Sequence, residues 1–220
     1  MNAPHAVLWD MDGTVIDSEE YHWIAWKETM AKQGHPITHE EFLSSFGQRN
    51  DSILKAWLGA VSTPEVIAQI GDAKERRYRQ LVRDNGISPL PGVEFWIQHL
   101  HQQGWRQAIA SAAPRLNVEA VLDAVKLADC FEAIVSAEDV RKGKPDPEVF
   151  LTAATRLSTP PARCIVVEDA AAGIEGARRA GMRSIGISHN RARLHADIVV
   201  ASLEILPRDA FELLLFIPGR

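Results

Sequence analysis

From residue 92 onward the chain repeats one unit: a helix-length stretch, a break, and a short apolar run that stops on a polar residue. A helix over 93–103 closes at Gly104, and a strand over 105–110 stops at Ser111. A helix over 115–127 precedes a strand at 133–135, and a helix over 147–157 precedes Cys164-Ile-Val-Val167, which stops at Glu168-Asp169. A helix over 171–180, strands at 184–187 and 197–200, and a helix over 207–216 complete the series. Strands alternating with helices of this length predict a parallel sheet covered by helices on both faces.

The start of the chain breaks that rhythm. Ala6-Val-Leu-Trp9 is an apolar run too short for a helix, and it ends abruptly at Asp10. About seventy residues without a strand pattern follow. Asp17 or Ser18 can N-cap a helix reaching Gln33, and Thr38-His-Glu-Glu41 forms a capping box for a second helix ended by Gly47. A third helix runs from about Asp51 to Leu58, and Thr63-Pro64-Glu65 opens a fourth that ends at Asn85-Gly86. The expected architecture is α/β, a Rossmann-like core of residues 1–16 and 88–220 with a helical cap, 17–87, inserted after the first strand.

Composition bounds the partners. The 220 residues carry 24 Lys and Arg against 29 Asp and Glu, a formal charge of −5 with 46% hydrophobic residues. That balance gives no electrostatic footprint for nucleic acid, and no apolar stretch has transmembrane length. Met1 to His5 lacks the basic start and apolar run of a signal peptide, and Cys130 and Cys164 form no CxxC. A cytoplasmic enzyme is expected, with free thiols, a small-molecule substrate, no membrane or nucleic-acid partner, and nothing that demands more than a monomer.

In open α/β sheets, ligands bind beyond the carboxyl ends of the strands. Asp10, Ser111 and Glu168-Asp169 lie at three such ends. In Asp10-Met-Asp-Gly-Thr14, residues two apart point the same way, so Asp10 and Asp12 face one site while Met11 turns away. Carboxylates about 4 Å apart repel by about 4 kcal/mol at an effective dielectric near 20, so the cluster calls for a cation. Oxygen-only ligands favour Mg²⁺. Such a site suits phosphoryl transfer: one Asp attacks phosphorus, the other handles the proton, and a Lys offsets the charge. Arg141-Lys-Gly-Lys-Pro-Asp146 supplies the Lys, because Lys144 precedes a proline and is held extended near the strand ends. Ser111 and the amides after it, beginning at Ala112, offer neutral phosphate donors.

In this order, Asp10-Met-Asp-Gly-Thr14, Ser111, Lys144 and Glu168-Asp169 resemble the four motifs of the haloacid-dehalogenase-like phosphotransferases. The resemblance implies that Asp10 is the nucleophile and Asp12 the general acid/base. It also implies that Mg²⁺ is held by the Asp10 carboxylate, the Asp12 carbonyl and Asp169 with help from Glu168, and that Ser111, Ala112 and Lys144 bind the phosphate. Dehalogenases of the family lack the second Asp, so Asp12 argues against that chemistry. Glu20-Tyr-His22 through Trp26 and Gly47-Gln-Arg-Asn-Asp-Ser52 are similar to the cap of the branch holding β-phosphoglucomutase and sugar-phosphate phosphatases. There His22 would sit at the cap hinge and Arg49 would meet the distal part of the substrate. Lys74 resembles a second cap cation, although its neighbours Glu75, Arg76, Arg77 and Arg79 read as a solvated helix face.

One departure bears on the reaction. The mutases carry Ser-x-Ser-x-Asn where this chain has Ser111-Ala-Ala-Pro-Arg115, so two holders of a second phosphate are replaced, unless Arg115 binds an anion itself. The expected activity is therefore a Mg²⁺-dependent phosphatase for a small phosphorylated sugar or polyol, with a β-phosphoglucomutase-like isomerase as the alternative. Trp23, Trp26 and Trp57 are candidates for shielding the site from water.

Overall fold

In the computed structural model, which describes residues 4–188 and 194–216, each short apolar run becomes a strand of one sheet. Of the amino-terminal stretch Met1–His5, the first three residues lie outside the described ones. The strands are β1 (Ala6–Trp9), β2 (Arg106–Ala110), β3 (Ala133–Val135), β4 (Cys164–Glu168), β5 (Arg183–Ile187) and β6 (Ile198–Val200). They are all parallel, in the order β3-β2-β1-β4-β5-β6. The order reverses direction between β1 and β4, which places the crevice of a doubly wound sheet beside Asp10 and Glu168.

Strand periodicity sorts the core into two layers. In β1, Val7 and Trp9 join a cluster with Trp96, Val118 and Phe211, while Ala6 and Leu8 join another with Phe150, Ala153 and Ala177. The first layer packs α5 (Val93–Gln102), α6 (Arg115–Val125) and α9 (Ala210–Phe216) on one face. The second packs α7 (Glu148–Arg156) and α8 (Ala171–Arg179) on the other. Because both faces are covered, β1 is apolar at every position rather than alternating.

Between β1 and β2 lie α1 (Glu19–Lys32), α2 (His39–Ser45), α3 (Asn50–Leu58) and α4 (Pro64–Asn85). Trp26, Met30, Phe42, Leu54 and Ile70 give these inserted helices an apolar cluster of their own. Thr38 closes the expected capping box with Glu41, and Thr63 caps α4 ahead of Pro64. Ser18 occupies the N-cap position of α1, yet its hydroxyl makes no cap hydrogen bond and is spent elsewhere. The chain enters and leaves the insertion through adjacent segments: Leu90 N–H donates to Val15 O at 2.9 Å, and Ile16 bridges Pro89. The last helix starts at Ala210 rather than 207, because the Ala210 N–H first closes a turn onto Pro207 O.

Candidate active site

Asp10 follows β1 directly, and its N–H donates to Val167 O of β4 at 3.0 Å, so the backbone still holds it in the sheet. Gly13 has φ +84°, and the turn it makes carries Met11 into the core while Asp10 and Asp12 line one cavity of about 530 Å³. Ser111, Ala112, Arg49, Lys144, Glu168 and Asp169 line it too. That volume lies in the range of small-molecule sites.

On the β4 side of the cavity the carboxylates crowd. Single oxygens of Asp10, Glu168 and Asp169 lie within 4.8 Å of one another. Lys144 Nζ donates to Asp10 Oδ1 at 2.5 Å and to Glu168 Oε1 at 2.7 Å, while Ala170 N–H fixes Glu168 Oε2 at 2.7 Å. Two glycines make room for this cluster: a Cβ on Gly13 would collide with Asp169 Oδ2, and one on Gly173 would collide with Glu168 Oε1. Burial raises the Asp10 carboxyl well above its usual range; Lys144 opposes this, whereas Glu168 and Asp169 add to it. Burial and then Glu168 push Asp169 up to about 7. Lys144 is held firmly protonated, since Asp10 and Glu168 more than offset the effect of its burial. Three oxygen donors, two of them holding protons too tightly because of burial and like charge, fit a hard divalent cation.

On the other side Asp12 has different company. Ser18 Oγ donates to Asp12 Oδ1 at 2.5 Å, and His22 Nε2 lies 3.2 Å from the same oxygen. Burial pushes the Asp12 carboxyl up, but His22, Ser18 and Lys74 together bring it below its ordinary value. His22 is buried and stacks on Tyr78, with ring centroids 4.1 Å apart. Lys74 does not face solvent; only 2% of it is exposed, and its Nζ lies 2.8 Å from His22 Nδ1 and 2.8 Å from Glu75 Oε1. The expectation of a solvated face therefore fails. Ile70, Lys74, Glu75, Tyr78 and Leu81 share the buried stripe of α4, while Arg76 is exposed and Arg77 and Arg79 are half-buried beside it.

Two cationic residues are placed differently from expectation. Arg115 turns away from the cavity, and its Nη2 donates to Asp139 Oδ2 at 2.7 Å and to Ile134 O at 3.1 Å. An ionised carboxylate buttressed by Ser136 and Arg156 is a stronger partner than the open cavity. Arg49 lines the cavity, but its Nη1 donates to Ala137 O at 2.8 Å and its Nε to Asp51 at 3.2 Å, so it ties the insertion to the loop after β3. Trp26 borders a narrow slot beside Asp12, and Trp57 packs on Trp26, with ring centroids 5.1 Å apart. The sequence marks Ser18 only as a helix cap and Glu75 only as part of a charged face, and it gives no sign of Asn117, yet all three are polar residues buried at the junction of insertion and sheet.

Known proteins resemble this chain in sequence and in fold. The family model described as haloacid dehalogenase-like hydrolase matches residues 7–187, from β1 to the end of β5. The chain belongs to that family. Among curated relatives in the haloacid dehalogenase-like family, β-phosphoglucomutase of Bacillus subtilis (strain 168) is 33% identical over 203 residues, covering 89% of this chain and 88% of its own. Hexitol phosphatase B of Escherichia coli (strain K12) is 32% identical over 206 residues, covering 91% and 90%. The crystal structure of β-phosphoglucomutase from Clostridium difficile superposes with a TM-score of 0.86 at 27% identity, covering 96% of this chain and 97% of the other. This protein is therefore an enzyme of the haloacid dehalogenase-like family, with both phosphatases and a phosphomutase among its relatives. Among the described residues, no helix is long and apolar enough to cross a membrane.

Proposed function

We propose that this protein is a Mg²⁺-dependent phosphatase of small phosphorylated sugars or polyols, with residues 17–87 acting as a cap over the catalytic core. The observation that carries this reading is the geometry of one cavity, in which Asp10 joins a carboxylate cluster bound by Lys144 while Asp12 accepts from Ser18 and lies against His22. Asp10, beside the Lys144 ammonium, serves as the nucleophile. It forms a bond to phosphorus as the bond from phosphorus to the ester oxygen breaks, leaving an aspartyl phosphate. Asp12 gives the departing alkoxide its proton, then takes one from the water that attacks the aspartyl phosphate and regenerates Asp10. A phosphate dianion arriving beside Asp12 raises its proton affinity by like charge, which lets a carboxyl that is ionised at rest act first as an acid. Lys144 offsets charge on the phosphoryl oxygens, and the Ser111 hydroxyl and Ala112 N–H donate to them. Asp10, Asp169 and the Asp12 carbonyl, with Glu168 beside them, would hold Mg²⁺, which supplies Lewis-acid stabilisation of the transferring phosphoryl group.

Hydrolysis is favoured over isomerisation because the three positions expected to hold a second phosphate are apolar or already engaged. Ala113 offers no hydroxyl, Arg115 is bound to Asp139, and Arg49 is engaged by Ala137 and Asp51. The buried His22–Lys74 pair supports the alternative, a phosphosugar mutase, since it shields the insertion side of Asp12 from solvent. The deciding experiment follows hexose and hexitol monophosphates, β-glucose 1-phosphate among them, by phosphorus NMR with enzyme, Mg²⁺ and a trace of bisphosphate. Growth of inorganic phosphate is the expected result. Conversion of β-glucose 1-phosphate to glucose 6-phosphate without free phosphate would make the protein a mutase.

A further inference from the structure

Behind Asp12 the polar contacts do not stop at His22. They continue as one buried chain through Lys74, Glu75 and Asn117, each at most 5% exposed. Glu75 Oε1 accepts from Lys74 Nζ at 2.8 Å and from Asn50 Nδ2 at 2.7 Å, and Glu75 Oε2 accepts from Asn117 Nδ2 at 2.5 Å. Arg79 Nη1 donates to Asn117 Oδ1 at 2.7 Å. His22, Asn50, Lys74, Glu75 and Arg79 belong to the inserted helices, whereas Asp12 and Asn117 belong to the sheet core.

The chemistry of the groups fixes every proton in this chain. Arginine only donates, so the Asn117 carbonyl faces Arg79 and its amide N–H faces Glu75. Lysine only donates, so His22 Nδ1 is the acceptor and the ring hydrogen sits on Nε2, aimed at Asp12 Oδ1. The Lys74 ammonium also lies 5.1 Å from the Trp26 ring centroid, over its face. Glu75 is the carboxylate in direct contact with this buried cation. Without it Lys74 would be a charge in an apolar pocket, which is costly enough to make it lose its proton or move. His22 would then be free to place its hydrogen on either nitrogen, and Asp12 would lose a fixed partner.

We propose that Glu75 is a positioning residue for the acid–base chemistry of Asp12, holding Lys74 as the buried cation that fixes the His22 tautomer. We assign to Asn117 the task of making that alignment depend on the cap being seated on the core. The inference rests on the reading of Asp12 as proton donor to the leaving group, and it extends the acid–base machinery to a residue about three side chains away.

The test compares two leaving groups. An alkyl phosphate needs a proton as its oxygen departs; p-nitrophenyl phosphate does not. Glu75→Gln is expected to lower kcat on the best alkyl monophosphate by about 10–100-fold, the range typical of lost support to an active-site group, with KM changed less than about 3-fold. Turnover of p-nitrophenyl phosphate should fall less than about 3-fold in the same variant, and Glu75→Asp should recover part of the alkyl activity. Asn117→Ala, which leaves the Lys74–Glu75 pair in place, should show the same selective loss to a smaller extent and carries the comparison if Glu75→Gln does not fold. Equal losses on both esters, or no loss on either, would overturn the proposal. Asp12→Asn run alongside separates the two ideas: if that variant also lacks leaving-group dependence, the reading of Asp12 has failed; if it alone shows the dependence, only the role of Glu75 has.

Discussion

Asp10 and Asp12 are the same residue type, two positions apart at one strand end, and they face the same cavity. Yet one holds its proton far more tightly than an ordinary carboxyl and the other less tightly than one, despite its burial. The difference lies in their neighbours. Asp10 looks toward β4, where Glu168 and Asp169 bring like charge that a single Lys144 does not cancel. Asp12 looks toward the inserted helices, where Ser18, His22 and Lys74 all favour its anion. The floor of the sheet thus supplies a surplus of negative charge awaiting a cation, and the helices supply an organised set of donors. Pairs of titratable groups driven apart by environment mark a division of acid–base labour.

Several substitutions break or sharpen that contrast. The largest effect is expected from Asp10→Asn, which should cut phosphate release from every ester, p-nitrophenyl phosphate included, by roughly 10⁴-fold or more. Asp12→Asn should cost about 10²–10⁴-fold on alkyl esters and much less on p-nitrophenyl phosphate. Steady-state kinetics on the two esters would show whether the two aspartates play separate roles; identical profiles would erase the distinction.

A smaller effect tests the crowded side alone. Gly13→Ala forces a Cβ into a positive-φ position, at a cost of about 1–2 kcal/mol, and drives it against Asp169 Oδ2. Activity should fall about 10–100-fold, and the dependence of rate on Mg²⁺ should shift to higher concentration. The smallest effect is thermal. Asp169, raised to about 7 when folded, contributes stability that is complete below the ordinary carboxylate value and is lost as pH rises through about 7. Metal-free protein should therefore melt a few degrees lower at pH 8 than at pH 5, and Mg²⁺ should raise the melting temperature more at pH 8. Asp169→Asn should flatten both responses; a Mg²⁺ shift that is larger at pH 5 would contradict the scheme.

What the sequence made legible follows from the same contrast. Asp10, Ser111, Glu168 and Asp169 could be found because each ends an apolar run, and the logic of parallel sheets gathers strand ends. Lys144 was marked by the proline after it. The helical side was harder to read. Lys74 stands among charged residues, and local composition points to solvent, whereas its spacing from Ile70 and Tyr78 places it on the buried stripe. That periodic signal was present and outweighed. Glu75, three before Tyr78, shares that signal, whereas its pairing with Asn117 depends on α4 meeting α6, two helices distant in the chain. The placement of Arg115 is hidden from the sequence for a related reason: its partner Asp139 lies 24 residues on, and only the folded chain brings them together.

The insertion enters at Val15–Ile16 and returns at Pro89–Leu90, segments joined by a hydrogen bond and a bridge. Its two ends thus lie about one strand spacing apart, roughly 5 Å. A length of chain whose ends already meet can be lengthened, shortened or exchanged for another without displacing the strands on either side. If the proposed function holds, exchanging this one segment would change which molecule is accepted and leave the carboxylates at the sheet in place. The coupling through Glu75 and Asn117 sets the limit on that freedom, because any replacement must also restore the partner that Asp12 inherits from it.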